Sequence, residues 1–481
     1  MKIQALGEEW LNSSLVWGLP CGSGDIVEAR SPIDTSVVQR VSTLNREELA
    51  CLLSPDTALT TPSPTDLRSF CIRLSAALEE MRDSFSEATL WETAFLPGDC
   101  EEMVDGTLLF LKEYCEVKEM RRRLPAAGMA YQDGPQERRI ELLSIPWGTV
   151  AVILPQNAFL FLAVSSMVNA IAAGNRVILR APLQSARSAG LLAEAVVRAG
   201  CSDVISIVQV SAKTFTAALY QSSFPCLLHY MGSSRHAPAI ASEAFQNGKA
   251  CLIDGDGNGW MWIDRDVDIE GTVCMLIESA LRYNGQTCTS TNGVIIHPDL
   301  FPQLRDRLFA RWSCLQSGDP RRTSTQVGPL LDEAQAKWCQ SRIESSGAKA
   351  RVGGRREGNL LAPTLLESPE CHSDLVREGA FGPILWIAPG NREDFTDLWR
   401  SNRYPLSASV CSCEPEPEWW ASRLGNLARL VINGDPSIEH VHAPWGGYPS
   451  AGMNPVNDVS EKYRRILQLD APATNLTRSR Q

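Results

Sequence analysis

Residues 149 to 208 alternate short apolar runs with longer helical segments, and this alternation restricts the fold more than any other feature. Glycines stand where the helical segments end, so a turn follows each of them. Strands that alternate with helices in this way are typical of βαβ units, which build a parallel sheet covered by helices. Such a sheet binds nucleotides at the carboxyl ends of its strands. The predicted elements are strand Thr149–Leu154, helix Leu160–Ala173, strand Arg176–Arg180, helix Ser185–Ala199 and strand Val204–Val208.

Three further regions complete the predicted organisation. Residues 63–94 place apolar side chains at helical spacing and predict a helical region. Residues 121–143 are polar and arginine-rich, with Pro125 and Gly134, and predict an extended arm or hairpin rather than core. A second α/β series follows residue 288: strand Val294–His297, helix Pro298–Trp312, strand Ile384–Ala388, helix Arg392–Ser401, and strands Ser407–Cys411 and Leu430–Asn433.

The composition argues against several classes of function. A chain of 481 residues with a net charge of −11 and no long Lys/Arg run is a poor candidate for binding nucleic acid. Its 15 dispersed cysteines and 6 histidines favour reduced thiols in a cytoplasmic protein over a disulfide framework or a metal site. The N-terminus lacks an apolar signal core. Polar residues and Pro155 interrupt the longest apolar stretch, 150–174, so no membrane span is expected.

One thiol stands out in the sequence Tyr-Asn-Gly-Gln-Thr-Cys-Thr, residues 283–289. Cys288 lies among small and polar residues, after a predicted helix over Val267–Arg282 and before a β-rich run over Gly293–His297. A turn between two elements can give a thiol both access and a lowered pKa, which a cysteine nucleophile needs. A buried structural cysteine is the alternative, and the heptapeptide alone leaves both interpretations open.

The Cys288 turn is one of eight motifs that together resemble the aldehyde dehydrogenase superfamily over nearly the whole chain. Each motif alone is weak, whereas the series in the family's order and spacing is specific. The motifs are Ile145–Ile153 with Pro155–Asn157, Ala172–Arg180, Tyr230–Ser233, Gly285–Cys288, Val327–Leu330, Ala362–Thr364, Phe381–Pro383 and Ala443–Gly447. The chain therefore resembles a divergent member of this NAD(P)-dependent superfamily.

The resemblance implies a fold and a division of the chain. The fold is α/β, with a Rossmann-like parallel-sheet cofactor domain (1–120 and 144–253) and a second α/β catalytic domain (254–434). A small β oligomerisation arm and a tail (121–143 and 455–481) complete it. The resemblance implies a homodimer or homotetramer, because the arm and tail make subunit contacts in this family. It also implies a small-molecule aldehyde substrate and NAD or NADP as cofactor, with no metal.

The resemblance assigns catalytic roles as well. A Cys288 thiolate would attack the aldehyde, and the Asn157 side chain with the backbone N–H of Cys288 would stabilise the oxyanion. The thiohemiacetal would lose a hydride to the cofactor, and water would release the carboxylic acid from the thioester. Asp254, 34 residues before Cys288, stands where the family usually has a glutamate base. An aspartate in an Asp/Gly-rich turn is the alternative interpretation of this residue.

The cofactor contacts implied by the resemblance depart from the family pattern at several positions. Leu183 replaces a glutamate that binds the adenosine ribose, and Arg180 replaces a lysine. Asp256 replaces a glycine beside the nicotinamide, and Gly379 replaces a glutamate whose role Glu378 could take after a local shift. The implied cofactor-binding residues are Pro155, Gln156, Arg180, Gly232, Ser233, Glu378 and Phe381.

These departures affect both cofactor choice and function. Because Leu183 cannot repel a 2′-phosphate and Arg180 can bind one, we expect NADP to be accepted at least as well as NAD. Two alternatives to a dehydrogenase stay open: a degenerate or non-redox homologue with a binding or assembly role, and a coenzyme A-acylating enzyme. Arg282 either meets an acidic substrate or is a solvated helix end, and we favour the second. The expected walls of the substrate pocket are Phe159, Leu160, Met167, Trp260, Thr287, Thr289 and residues 438–442.

Overall fold

The computed structural model describes residues 8–54, 67–121, 128–133, 136–438, 447, 450–452 and 464–472. Within these residues the strands form two seven-stranded sheets, one three-stranded sheet and two sheets of two strands. The strands are β1 (Ser14–Val16), β2 (Leu19–Cys21), β3 (Ile26–Arg30), β4 (Val37–Ser42), β5 (Gly128–Asp133), β6 (Gln136–Pro146), β7 (Thr149–Ile153), β8 (Arg176–Ala181), β9 (Ile205–Gln209), β10 (Leu227–Met231), β11 (Ala250–Asp254), β12 (Gly259–Ile263), β13 (Thr291–Ile296), β14 (Ala350–Val352), β15 (Arg356–Glu357), β16 (Leu360–Leu361), β17 (Thr364–Glu367), β18 (Ile384–Pro389), β19 (Ser407–Cys411), β20 (Arg429–Ile432) and β21 (Arg464–Pro472).

Helices cover the sheets, and two short 3₁₀ turns, Leu183–Ser185 and Arg282–Gly285, lie beside the predicted site residues. No helix in the described ranges is long and apolar enough to cross a membrane. The helices are α1 (Glu8–Leu11), α2 (Arg46–Leu52), α3 (Leu67–Glu80), α4 (Arg82–Thr93), α5 (Pro97–Arg121), α6 (Phe159–Ala172), α7 (Ala186–Ala199), α8 (Ala212–Gln221), α9 (Ala237–Gln246), α10 (Ile269–Leu281), α11 (Phe301–Trp312), α12 (Glu333–Glu344), α13 (Asp374–Glu378), α14 (Arg392–Trp399) and α15 (Pro417–Arg423).

The first large sheet confirms the predicted βαβ pattern. Its strand order is β11-β10-β7-β8-β9-β1-β2, and the five strands from β11 to β9 are parallel. Val150 and Val152 pack into an apolar cluster on one face, whereas Ala151 and Ile153 pack into a cluster on the other, so both faces are covered. The strand order reverses between β7 and β10. The crevice outside the carboxyl ends of these two strands is therefore the place where such a sheet binds ligands.

The second large sheet has the order β14-β17-β18-β13-β12-β19-β20, and only its edge strand β14 runs antiparallel to its neighbour. Large aromatic side chains fill one of its faces. Trp260 is fully buried, with its ring centroid 5.2 Å from that of Trp386 and 5.3 Å from that of Trp399. These contacts fix helix α14 against the sheet.

The predicted arm forms an antiparallel hairpin. Strand β5 pairs with β6, and β21 adds to the other side of β6, from Arg464 opposite Pro146 to Pro472 opposite Arg138. The segment before β7 and the segment near the end of the chain are thus joined in the same small sheet. Within the described residues, β5 and β21 are its edge strands.

Most predicted elements are confirmed to within three residues at either end, and one is not continuous. Residues 67–93 form two helices, because Met81 (φ −102°, ψ 10°) leaves the helical conformation between α3 and α4. Residues 63–66, the start of that predicted region, lie outside the described residues. Both α3 and α4 contact α5.

Candidate active site

The turn that carries Cys288 has a constrained backbone. Helix α10 is followed by three consecutive left-handed residues, Tyr283 (φ 52°), Asn284 (φ 57°) and Gly285 (φ 70°). A side-chain-bearing residue in this conformation costs about 1–3 kcal/mol, and such residues persist only where surrounding contacts hold them. Asparagine tolerates the conformation better than most residues, and glycine tolerates it freely. The motif before Cys288 thus encodes a sharp reversal of the chain.

Asn284 supplies most of the contacts that hold this reversal. Its side chain is buried, donates from Nδ2 to the carbonyl of Ala94 (2.9 Å) and accepts at Oδ1 from the N–H of Gly328 (2.8 Å). The N–H of Tyr283 donates to the carboxylate of Asp99 (3.2 Å). Residues 94–99 precede or begin α5, so these bonds attach the nucleophile turn to the helices that cover the first sheet.

Two glycines allow neighbouring loops to approach the turn very closely. A Cβ atom on Gly257 would lie 1.9 Å from the carbonyl oxygen of Cys288, and one on Gly285 would lie 2.3 Å from that of Gly382. No larger residue fits either position without moving backbone. The loop after β11 and the loop before β18 therefore both pack against the turn, and Cys288 itself is partly buried between them.

Asn157 lies beside the same turn, as the resemblance to the family implies. It follows β7, and its Nδ2 donates a hydrogen bond to the backbone carbonyl of Gln286 (2.9 Å). A side-chain amide has two N–H groups, so it can serve a second acceptor. The fold thus brings the Asn157 amide from the first sheet to within two residues of Cys288; its role as oxyanion donor stays a prediction.

Asp254 is the last residue of β11, and a buried histidine holds its carboxylate. His229 Nε2 lies within hydrogen-bond distance of Asp254 Oδ2, and the side chain of Asp254 is only 12% exposed. The parallel register pairs Met231 with Asp254, which puts His229 on the same sheet face two residues away. Sequence reasoning missed His229. Its signal was a single polar residue inside the apolar run 227–231.

Arg180 lies near the carboxyl end of β8, where its side chain is almost completely buried. Its Nε donates to the carbonyl of Val210 (2.9 Å), and burial lowers the pKa of the guanidinium to about 10. Within the described residues it forms no ion pair. A buried cation without a carboxylate favours an anionic ligand, and the nearby Leu183 cannot neutralise it.

Asp256 joins the loop after β11 to the turn after β10. Its Oδ2 accepts from the backbone N–H of Ser234 (2.9 Å) and from the hydroxyl of Ser233 (3.2 Å). Its own N–H donates to Ser234 Oγ (2.8 Å), so the two segments are bonded in both directions. The preceding Gly232 N–H donates to the carbonyl of Asp254 (3.1 Å). The predicted cofactor-binding pair Gly232 and Ser233 is thus occupied by contacts within the chain.

The region before β18 also differs from the expected pattern. The Glu378 carboxylate accepts hydrogen bonds from the guanidinium groups of Arg342 and Arg403. Gly379 has a φ of +75°, and a Cβ there would lie 2.8 Å from Asn258 Oδ1, so no side chain fits at this position. Phe381 is partly buried beside them. The two arginines that bind Glu378 were not found from the sequence, because they stand 36 residues before and 25 residues after it.

Gln156 connects the loop after β7 to a buried carboxylate on α4. Its Nε2 donates to the backbone carbonyl of Glu92 (2.6 Å). The Glu92 side chain accepts from the N–H groups of Arg187 (2.7 Å) and Ser188 (3.2 Å) at the start of α7. Burial raises the pKa of Glu92 to about 7 despite these bonds. Pro155, just before Gln156, is partly buried.

The expected walls of the substrate pocket are only partly where the sequence placed them. Trp260 instead lies on β12, and its side chain is buried in the aromatic core of the second sheet. Thr289 lies beside the loop after β20, with its hydroxyl 3.5 Å from the Ser437 carbonyl. Of residues 438–442, only Ile438 is among the described residues. Arg282 was expected to be a solvated helix end, but its side chain is only 18% exposed. Its Nη1 donates to both carboxylate oxygens of Glu102 (2.5 and 2.6 Å).

The described residues contain no group of three or more His, Cys, Asp or Glu side chains that could hold a metal ion. The arrangement instead joins a constrained thiol, an amide donor and two carboxylates at the carboxyl end of a parallel sheet. Such a set can form and hydrolyse a covalent intermediate at a cysteine.

Comparison with known proteins places this arrangement in a family. A model of the aldehyde dehydrogenase family matches residues 23–470. Benzaldehyde dehydrogenase [NAD(+)] of Pseudomonas putida is 27% identical over 313 residues, which cover 64% of each chain. Vanillin dehydrogenase of Pseudomonas fluorescens is 25% identical over 453 residues, 90% of this chain and 91% of that protein. The chain spans about two thirds of the length of the first curated relatives it matches.

Solved structures share the fold. An aldehyde dehydrogenase from Bacillus cereus superposes with a TM-score of 0.87 at 19% identity, covering 98% of this chain and 99% of that one. A glyceraldehyde-3-phosphate dehydrogenase from Methanocaldococcus jannaschii, complexed with NADP, has a TM-score of 0.81 at 20% identity, covering 94% and 100%. The match to the family over nearly the whole sequence agrees with the fold and with the turn around Cys288: the chain belongs to the aldehyde dehydrogenase family.

Proposed function

We propose that this protein oxidises an aldehyde to a carboxylic acid with NAD or NADP, using Cys288 as the nucleophile. The hydrogen bond from Asn157 to the Cys288 turn supports this proposal most directly. It joins an amide donor after β7 of the first sheet to the carbonyl of Gln286, in the strained turn that carries Cys288 between helix and strand. Family membership supports the reaction class.

Each residue has a defined task in the proposed reaction. The Cys288 thiolate attacks the carbonyl carbon, and the second N–H of the Asn157 amide donates to the resulting oxyanion, while the first keeps its bond to the Gln286 carbonyl. A nicotinamide cofactor bound in the crevice between β7 and β10 would supply the hydride acceptor that converts the thiohemiacetal on Cys288 into a thioester. Asp254 then takes a proton from the water that releases the acid from the Cys288 thioester. His229 positions Asp254 by holding one of its carboxylate oxygens.

The residues at the adenosine end suit a phosphorylated cofactor. Arg180 offers a buried guanidinium near the carboxyl end of β8, and Leu183 places no negative charge beside it. We therefore propose that Arg180 binds the ribose or its 2′-phosphate and that NADP binds at least as well as NAD. Pro155, Gln156, Phe381 and the Gly232–Ser233 turn would surround the rest of the cofactor. Glu378 could contact it only by leaving Arg342 or Arg403.

The relatives suggest which substrates to try first. Two of them are named for benzaldehyde and vanillin, and another for sulfoacetaldehyde. Because Arg282 is already paired with Glu102, it does not favour an acidic aldehyde. We propose a neutral, aromatic aldehyde as substrate. We also propose a homodimer or homotetramer with the domain division given above, since the edges of β5 and β21 can accept further strands.

The test is aldehyde-dependent formation of reduced cofactor, followed by absorbance. Cys288→Ala should lower the rate by at least about a thousandfold, because covalent catalysis is lost. Cys274→Ala is the matched control: this cysteine is also partly buried and lies on α10 before the turn. Retention of most activity by Cys288→Ala, or an equal loss in Cys274→Ala, would contradict the proposed nucleophile. Product formation that needs coenzyme A would identify an acylating enzyme instead.

A further inference from the structure

Asp256 is a charged residue that the proposed reaction does not use, although it lies in the crevice where the cofactor would bind. The turn after β10 stands at the point where the strand order of the first sheet reverses. The hydroxyl of Ser233 and the N–H of Ser234 are donors of that turn, and both are directed at the Asp256 carboxylate. The Asp256 carboxylate therefore already accepts hydrogen bonds from the donors that an anionic ligand in this crevice would need.

The Asp256 carboxylate is desolvated, and the two serine donors offset part of that cost. Burial raises the pKa of its carboxyl above the ordinary value, and the two serine donors and the charge of Arg235 act in the opposite direction. The charge of Glu378 adds to the effect of burial. Tyr230 and Tyr404 also lie within electrostatic range of Asp256. Displacing Asp256 from the serines would leave a desolvated carboxylate with little compensation.

We propose that Asp256 sets the affinity for the dinucleotide by competing with its diphosphate for Ser233 and Ser234. The diphosphate must either displace the carboxylate from these donors or bind beside a like charge, and both alternatives weaken binding. This inference rests on the proposed function for the class of ligand. Asp256 thus lowers the affinity for the dinucleotide in two ways: its charge repels the diphosphate, and it occupies the donors that the diphosphate needs.

Equilibrium binding without aldehyde tests the proposal. NAD, NADP and ADP are titrated into the full-length protein by calorimetry at fixed ionic strength. Asp256→Asn keeps an acceptor for Ser234 and removes the charge, whereas Asp256→Gly removes both. Both variants should bind NAD and NADP on the order of tenfold more tightly than the unchanged protein, since about 1.4 kcal/mol corresponds to one decade. ADP should follow, because it carries the diphosphate without the nicotinamide.

Asp394→Asn is the matched control, because Asp394 also accepts a backbone N–H at the start of a helix, α14, far from this crevice. It should leave all three affinities unchanged. Unchanged or weaker binding by both folded Asp256 variants overturns the proposal, and so does an equal increase in affinity in Asp394→Asn. The aldehyde assay judges the proposed function separately: tighter binding without any oxidation supports the role of Asp256 and contradicts the dehydrogenase.

Discussion

The turn that carries Cys288 and the loop 255–258 meet where Gly257 lies against the Cys288 carbonyl, but they are fixed in different ways. The turn is defined by its backbone, with left-handed residues and glycines that permit close approach. The loop is fixed by charged side chains: Asp254, the last residue of β11 before the loop, binds His229, and Asp256 within the loop binds two serines. The nucleophile turn therefore depends on left-handed backbone and close glycine contacts that its own motif specifies, whereas the cofactor side depends on charged side chains held by partners on other elements.

After Cys288 itself, the largest expected effect concerns Asn157, whose side-chain amide donates to the turn. Asn157→Ala and the isosteric Asn157→Asp should each lower kcat by roughly 10²–10³-fold, because neither side chain donates to an oxyanion. The alkylation rate of Cys288 by iodoacetamide should change little, since the left-handed turn keeps its contacts through Asn284. A loss of less than tenfold in both variants would remove Asn157 from the mechanism. Equal losses of activity and alkylation would show that it only shapes the turn.

The backbone of the turn can be tested against a second left-handed glycine. A Cβ atom added to Gly285 (φ +70°) would lie 2.3 Å from the Gly382 carbonyl oxygen. Gly148 (φ +93°) has open space around it instead. Gly148→Ala should destabilise by about 1–2 kcal/mol, the cost of the backbone conformation alone. Gly285→Ala should cost about 3 kcal/mol or more, since the backbone of residue 382 must also move. Denaturant unfolding of both variants measures the difference; equal costs would mean that the approach of residue 382 is unimportant.

The fold was largely predictable because it rests on local patterns. Buried parallel strands such as β7 consist mainly of apolar residues, and a glycine ends the helix of a βαβ unit, as Gly200 does after α7. Strands β10 and β12 were not predicted, although both are fully buried. In β10, His229 interrupts the apolar pattern. In β12, Trp260 was interpreted as a wall of the substrate pocket.

The site was predictable where the family resemblance covers it. The resemblance indicates Cys288 and Asn157, and the Asn157 amide donates to the carbonyl of Gln286, two residues before Cys288. The partners of Asp254 and Glu378 were not found, because a parallel register or a distant helix determines them. No pattern within one segment reports that His229 will lie beside Asp254; only the pairing of β10 with β11 does so.

A smaller effect concerns the buried carboxylate next to the cofactor side. The pKa of Glu92, about 7 in the folded protein, lies above its ordinary value of 4.5 because of burial. The folded state therefore favours the protonated form, and this stabilisation is complete below pH 4.5 and is lost as pH rises through 7. Glu92→Gln should remove this dependence, which amounts to at most about 3 kcal/mol.

Unfolding free energies measured from pH 4 to 8 compare the unchanged protein with Glu92→Gln. Glu87→Gln is the control, since Glu87 lies on the same helix and pairs with Arg187 while its side chain is 56% exposed. The difference between the unchanged protein and Glu92→Gln should vary with pH, and that for Glu87→Gln should be nearly flat. A constant difference for Glu92→Gln would show that its pKa is the same in the folded and unfolded states.

The smallest expected effect decides how far the cofactor side has departed from the family pattern. Leu183 lies in the 3₁₀ turn after β8, three residues from Arg180. Leu183→Glu should strengthen NAD binding and weaken NADP binding, because a carboxylate accepts from ribose hydroxyls and repels a 2′-phosphate. One charged hydrogen bond is worth about 1.5–3 kcal/mol, so the ratio of the two dissociation constants should change by at least about tenfold.

Leu183→Gln is the matched variant, since it offers a similar acceptor without the charge. It should strengthen NAD binding without excluding NADP. If the ratio stays constant in both, Arg180 and residue 183 do not contact the adenosine ribose, and this protein binds its cofactor by another route across the crevice between β7 and β10.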